Sequence, residues 1–253
     1  MRYALISDIH ANLPALDAVL TAIAARADLH ATYHLGDLVG YAPWPNETID
    51  RLRACEIVGI SGNYDSTVAT HAPHCGCRYE DPRQEELSHL SYGWTLTHTT
   101  AASKAWLGAL PFRMDLRPLG GHTSGPTVTL IHGNQVLNTV YVHAERSDEF
   151  LAKMGAALGA RPGDVVCFGH THIPWHRVVD GIHYVNTGSV GRPKDGDPRA
   201  GYVVLDVDGR AEPRVEFVRV AYDVETTARA ILESTLPDDF ADFLRTGGRT
   251  PTP

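Results

Sequence analysis

Apolar and polar positions switch between two periods along this chain, and the switches mark out its elements. Arg2–Ile6 is a short apolar run halted by Ser7-Asp8, the pattern of a buried strand delivering polar residues at its carboxyl end. From Asn12 the period becomes helical: Leu16, Val19, Leu20 and Ile23 form one stripe, and Pro14 sits in the first turn, where its missing N–H costs little. Thr32–Leu35 reads as a second strand stopped by Gly36-Asp37, 45–54 as a helix, and Glu56–Ile60 as a third strand stopped by Ser61-Gly62-Asn63. Strand, helix, strand, helix, strand predicts parallel pairing through right-handed crossovers.

The middle differs. After a loop rich in His, Cys and Pro, 82–109 reads as one or two helices anchored by Leu87, Leu90, Trp94, Leu96, Trp106 and Leu107, a helical insertion spanning about 66–110. Strands are expected at Phe112–Leu116 and Thr127–Ile131, a helix over Glu145–Leu158, and a strand at Asp164–Phe168 that runs into Gly169-His170-Thr171-His172. A hairpin follows, Pro174–Val179 and Ile182–Asn186 about the turn Asp180-Gly181. Strands at Gly201–Val207 and Val215–Val220 flank Asp208-Gly209, and a helix is expected near Val224–Glu233. One domain, 1–244, with a disordered polar tail at 245–253, is the expected organisation.

Composition narrows the class. A chain of 253 residues with 43% apolar content can bury roughly three-quarters of its extended surface, so no disulfide or metal is needed merely to hold a core. The four cysteines are too few for a disulfide scaffold. No run approaches the ~18 apolar residues of a spanning helix, and the N-terminal segment turns polar too soon for a secretory signal, so a cytoplasmic protein is expected, with no membrane partner. The formal charge of −8 with scattered arginines argues against a partner that is long nucleic acid. Fourteen histidines are the anomaly, because imidazole is the commonest metal ligand and the usual proton carrier at neutral pH.

Five segments share one design, an apolar strand and a small residue beside a ligand: Asp8-Ile-His10, Gly36-Asp37, Gly62-Asn63, His132-Gly133 and Gly169-His170-Thr171-His172. Sites of α/β sheets assemble at the carboxyl ends of strands. Converging, these ends pool three oxygen donors (Asp8, Asp37, Asn63) and four imidazoles (His10, His132, His170, His172), too many for one tetrahedral ion. They suit two divalent cations about 3.5–4 Å apart sharing a carboxylate. Carboxylate, amide and imidazole without thiolate point to Mn, Fe or Zn.

In this order the blocks resemble those of the calcineurin-like metallophosphoesterases, with Asn186-Thr-Gly-Ser-Val-Gly191 resembling the Asn-x-Gly-Ser loop of their small bacterial and archaeal phosphodiesterase-type branch. The resemblance implies a four-layer α-β-β-α sandwich of two mixed sheets. It implies that Asp8, His10 and His172 bind one metal, that Asn63, His132 and His170 bind the other, and that Asp37 bridges both. Mn is the favoured cofactor. Asp37, Asn63 and His132 are the catalytic candidates among these ligands. The implied reaction is in-line attack of a metal-bridging hydroxide on a small or nucleotide-type phosphoester. Many members carry His after the Gly-Asn; here it is Tyr64, and a phenol is a poor proton donor to an alkoxide near neutral pH. This tilts the expectation toward diester hydrolysis. Alternatives are a phosphomonoesterase or protein phosphatase of the same family, or a non-catalytic interaction module on the same fold; the sequence leaves a homo-oligomer open.

Tyr64, Ser189 and Arg192 are the substrate-binding candidates, the last as a forked donor to phosphate. His71-x-x-His74-Cys75-Gly-Cys77 reads as a polar loop near the site mouth rather than a separate zinc site. His34 reads as packed or bonded behind the ligands, Tyr41 and Trp44 as loop packing or pocket wall, Trp94 and Trp106 as helix packing, and His176 and His183 as surface residues of the hairpin.

Overall fold

A computed structural model describes residues 1–78, 81–117, 125–207 and 212–249. β1 (Arg2–Ile6), β2 (Ala31–His34), β3 (Val58–Gly59), β9 (Ala200–Asp206) and β10 (Arg214–Val220) form one five-stranded sheet in the order β10-β9-β1-β2-β3. β4 (Met114–Leu116), β5 (Val128–Leu130), β6 (Val165–Phe168), β7 (Trp175–Val179) and β8 (Ile182–Asn186) form the second, in the order β4-β5-β6-β8-β7. Both are mixed: β1 pairs parallel with β2 and antiparallel with β9, while β6 pairs parallel with β5 and β8, which turns back antiparallel on β7.

The period-two pattern explains the stacking. Tyr3 and Leu5 of β1 point one way and join Val128, Leu130, Val165, Cys167, Val203 and Leu205 between the sheets. Ala4 and Ile6 point the other way, onto α1 (Leu13–Ala24), whose stripe Leu16, Val19, Leu20 and Ile23 is buried against them, with α2 (Pro45–Ala54), α7 (Val224–Leu232) and α8 (Asp239–Thr246) beside it. The outer face of the second sheet, Val166, Phe168, Ile182 and Tyr184, is covered by Leu151, Met154 and Leu158 of α6 (Asp148–Leu158). The result is helix, sheet, sheet, helix, the architecture expected. Among the described residues no helix is long and apolar enough to cross a membrane.

Where the structure departs from the expected elements, the reason is local. The third strand shrinks to Val58–Gly59, because only two register pairs tie it to β2 at the sheet edge and Val58 is exposed. The loop expected before residue 82 opens instead with helix α3 (Asn63–Thr70), which packs beside α4 (Pro82–His98) and α5 (Ala101–Gly108), the expected helices of the insertion. The tail expected to be disordered from 245 begins inside α8: Gly247 closes that helix in the left-handed conformation, and its carbonyl accepts from Gly196 N at 2.8 Å. The turn Asp208-Gly209 and residues 250–253 lie outside the described residues.

Candidate metal centre and active site

Every expected ligand leaves the carboxyl end of a strand: Asp8 and His10 after β1, Asp37 after β2, Asn63 after β3, His132 after β5, His170 and His172 after β6. The turns are sharp. Among the described residues ten non-glycine residues have positive φ, and five of them are Asp8, His10, Asp37, His170 and His172. Strained backbone of this kind persists where surrounding contacts over-determine it, and it concentrates at functional sites. The contacts are visible: Asp8 N donates to Gly36 O at 3.0 Å and His10 N to Asp37 O at 3.0 Å. Gly36 and Gly62 permit the close approach, since a Cβ on Gly36 would stand 2.2 Å from Gly62 N, and one on Gly62 would stand 2.1 Å from Asp37 Oδ1.

Six of the seven side chains fall into two groups of donors, and all seven are buried. Asp8, His10 and His172 offer donor atoms within 4.8 Å of one another, as do Asp37, His132 and His170. Asp37 Oδ2 lies between the groups, 3.8 Å from His10 Nε2 and 3.4 Å from His132 Nε2. Its other oxygen accepts from Tyr64 N at 2.9 Å. Asp8 is pinned by Ser7 Oγ and by His170 N, 3.1 Å from Oδ2.

Backbone carbonyls fix the imidazoles. His10 Nδ1 bonds Val39 O at 3.0 Å, His132 Nδ1 bonds Leu35 O at 2.7 Å, and His172 Nδ1 bonds Arg192 O at 2.6 Å. His170 has a backbone bond at Thr139. A carbonyl only accepts, so each Nδ1 in these three bonds carries the hydrogen and each Nε2 is turned inward. His10 Nε2 and His172 Nε2 stand 3.1 Å apart. Two lone pairs at that separation repel unless a positive charge sits between them. His170 Nε2 and Asn63 Oδ1 are buried with no hydrogen-bond partner among the described residues, and His132 Nε2 faces only the Asp37 carboxylate, 3.4 Å away. Asn63 is oriented by its amide nitrogen, which donates to Cys75 O at 2.9 Å and Cys77 Sγ at 3.2 Å. Orphaned acceptors of this kind are costly without a cation to meet them, and carbonyl-anchored imidazole is the usual form of a metal-binding histidine.

The electrostatics agree. Burial, then the neighbouring His172 ring, pull His10 down to about 3. Burial also holds His170 and His172 well below the ordinary imidazole value. All three are thus held neutral, the form in which imidazole can bind a metal. His132 goes the other way: burial pulls it down, but the Asp37 carboxylate outweighs this and raises it to about 10. The Asp37 carboxylate thus favours positive charge where the second group of donors lies. These donors fit divalent cations, and Asp8 with Asp37 supplies the matching negative charge.

The substrate-side residues fare unevenly. Tyr64 is buried with its hydroxyl 3.4 Å from Ser91 Oγ, and its ring packs edge-on to His10 with centroids 5.7 Å apart. The Ser189 hydroxyl donates to Asp8 O at 2.7 Å and accepts from Arg192 N at 2.8 Å, which uses it to hold the loop to the ligand strand. The Arg192 guanidinium lies over the rings of Tyr41 and Phe243, 3.9 and 3.8 Å from their centroids, in a small side cavity shared with His10. Tyr41 forms pocket wall, while Trp44 stands at the start of α2. His34 is buried beside Trp106, and Trp94 bonds Thr235. His183, expected at the surface, is buried and stacks on His176, with ring nitrogens 3.0 Å apart.

Three contributors carried no local signal. Asp65, at the third position of α3, accepts from Gly62 N and Leu38 N, each at 2.9 Å, and so ties the Asp37 turn to the Asn63 turn. Tyr141 stacks on His170 with centroids 4.1 Å apart. Lys194 lines the cleft with His10, Asp37, His170 and His172.

This geometry has company among known proteins. The family model described as the Calcineurin-like phosphoesterase superfamily domain matches residues 1–210. The chain belongs to the calcineurin-like phosphoesterase superfamily. It is 28% identical to an uncharacterized protein of Methanocaldococcus jannaschii over 96% of this chain and 97% of that one. It is 26% identical to the phosphodiesterase YfcE of Escherichia coli, covering 82% of this chain and 89% of that one. Among solved structures it is similar to a metallophosphoesterase from Sphaerobacter thermophilus, with TM-score 0.75 and 29% identity over 98% of this chain and all of the other. The family is metal-dependent, and the two buried triads are its candidate metal-binding groups.

Proposed function

We propose that this protein is a two-metal phosphodiesterase acting on a small or nucleotide-type phosphoester. Asp8, His10 and His172 would hold one cation, Asn63, His132 and His170 the other, and Asp37 Oδ2 would serve both; among Mn, Fe and Zn, Mn is the first choice for this donor set. Such a pair, when bound, supplies an acidified water and neutralises charge on the phosphoryl oxygens. The chain supplies the rest. Tyr64 N fixes one Asp37 oxygen and so directs the other into the pocket. Carbonyl anchors on His10, His132 and His172 hold those rings in one tautomer and one orientation.

The diester preference rests on Tyr64. Its hydroxyl is directed to Ser91 Oγ and the Ser88 carbonyl of α4, 3.4 and 3.5 Å away. A phenol so engaged is a poor proton donor to a departing alkoxide. The name phosphodiesterase borne by the Escherichia coli relative agrees. The observation that carries the reading is the convergence of inward Nε2 atoms, two of them 3.1 Å apart, on two buried carboxylates. The test is hydrolysis of bis-p-nitrophenyl phosphate and p-nitrophenyl phosphate by Mn-loaded protein. A higher kcat/KM on the diester is expected. A preference for the monoester would make it a phosphomonoesterase, and cleavage of neither would favour an interaction module.

A further inference from the structure

The loop after β8 is stitched to the segments that follow β1 and β6. Val190 N donates to Ser7 O at 2.9 Å, Gly191 N to Asp8 O at 3.1 Å and Lys194 N to His172 O at 3.4 Å. The chain beyond α8 braces its far side through Gly196 N to Gly247 O. The backbone that carries Lys194 is therefore placed by the metal ligands themselves. Its side chain faces the cleft alongside His10, Asp37, His170 and His172.

Among the described residues no carboxylate lies within 4.0 Å of its ammonium. The acids nearest in sequence are committed elsewhere, Asp195 to Arg219 and Asp197 to Arg199. The Cys77 thiol, Asp8 and Asp37 face it across the cleft, and on the two-metal reading the charge of the two carboxylates is matched by cations. Among the described residues Lys194 is then a half-buried positive charge with no carboxylate paired to it, which is costly until an anion arrives. Arg192, two residues earlier, has the better donor geometry but is held over Tyr41 and Phe243.

We propose that Lys194 binds a non-bridging oxygen of the substrate's phosphoryl group, making it a substrate-binding residue of this site. The inference rests on the two-metal reading. It assigns to lysine the phosphate contact expected from sequence of the neighbouring arginine, and it makes the cleft selective for anionic esters over neutral ones.

The experiment compares Mn-loaded wild type with Lys194→Met, Lys194→Gln and Lys194→Arg. Metal content is measured by elemental analysis, affinity for inorganic phosphate by calorimetry, and kcat/KM on bis-p-nitrophenyl phosphate. Expected is unchanged metal content in all four, with phosphate affinity and kcat/KM both lowered about 10- to 100-fold in the Met and Gln variants, the range of one charge-assisted hydrogen bond. The Arg variant should recover most of both. Undiminished phosphate affinity in the Met and Gln variants overturns the proposal, and so does loss of metal, which would make Lys194 a structural residue. Wild type that binds phosphate through Lys194 yet cleaves neither ester would sink the phosphodiesterase reading alone. Wild type that cleaves esters, with variants that match it, would sink the Lys194 assignment alone.

Discussion

The two sheets contribute differently to the pocket between their ends. From the first come the oxygen donors Asp8, Asp37 and Asn63 with a single imidazole, His10; from the second come imidazoles alone, His132, His170 and His172. Neither sheet holds a balanced site. Each candidate triad needs a donor from both, and two bonds cross the divide directly, His170 N to Asp8 and His132 Nδ1 to Leu35 O. The inter-sheet core is thus part of the chemistry: Leu5, Leu35, Leu130 and Val165 set the distance at which carboxylates meet imidazoles.

The comparison can be broken most severely at the residue that faces both halves. Asp37→Asn should lower turnover on the order of a thousandfold, because the several kcal/mol of charge stabilisation that two cations supply depends on it. Steady-state rates with elemental analysis read this out, and a variant with normal rates would refute a shared carboxylate. Next comes the interface. Leu35→Ala, fully buried between the sheets, should cost about 2–5 kcal/mol in chemical denaturation. It should also weaken Mn binding, whereas Leu158→Ala, on the outer face of the second sheet, should lose stability with Mn affinity kept.

Within the first sheet, Asp65 joins two ligand turns without facing the pocket. Asp65→Asn should weaken metal affinity or activity by about 10- to 100-fold, the usual effect of an outer partner. Burial and the nearby Asp37 raise the Asp65 carboxyl to about 7. The smallest effect concerns His34, which burial depresses to about 3. Since the folded state disfavours its charged form, its contribution is complete above the unfolded value near 6.5 and is lost as pH falls from there toward 3. Replacing it by Phe should flatten the unfolding free energy against pH, between 4 and 6, by about 1.4 kcal/mol per pH unit. An unaltered slope would show that His34 is not held neutral.

Much of the site was legible because its logic is local. A strand that ends in a small residue and a ligand announces itself in Gly36-Asp37 and Gly169-His170-Thr171-His172, and five such ends in order leave few folds. What was illegible depends on distant docking. Helix α3 is built from Asn, Asp, Ser and Thr, which favour caps and turns over helix interiors; it forms because Asp65 bonds its first turn and Tyr92 Oη reaches Thr67 O at 2.9 Å. The stripe Phe240, Ala241 and Leu244 of α8 is helical in spacing but lies against a polar terminus that masked it. Ser189 and Arg192 were chosen for nearness in sequence to the Gly-Ser loop. Their side chains turned out to hold the loop and stack on aromatics, and no sequence pattern distinguishes those fates from contact with a phosphate.

The central claim is that seven side chains from two sheets grip a pair of adjacent cations. Anomalous scattering from a crystal soaked in manganese tests it directly. Two peaks about 3.5–4 Å apart are expected, one bounded by Asp8, His10 and His172, the other by Asn63, His132 and His170, with Asp37 touching both. A single peak, or two that do not share Asp37, would contradict the account.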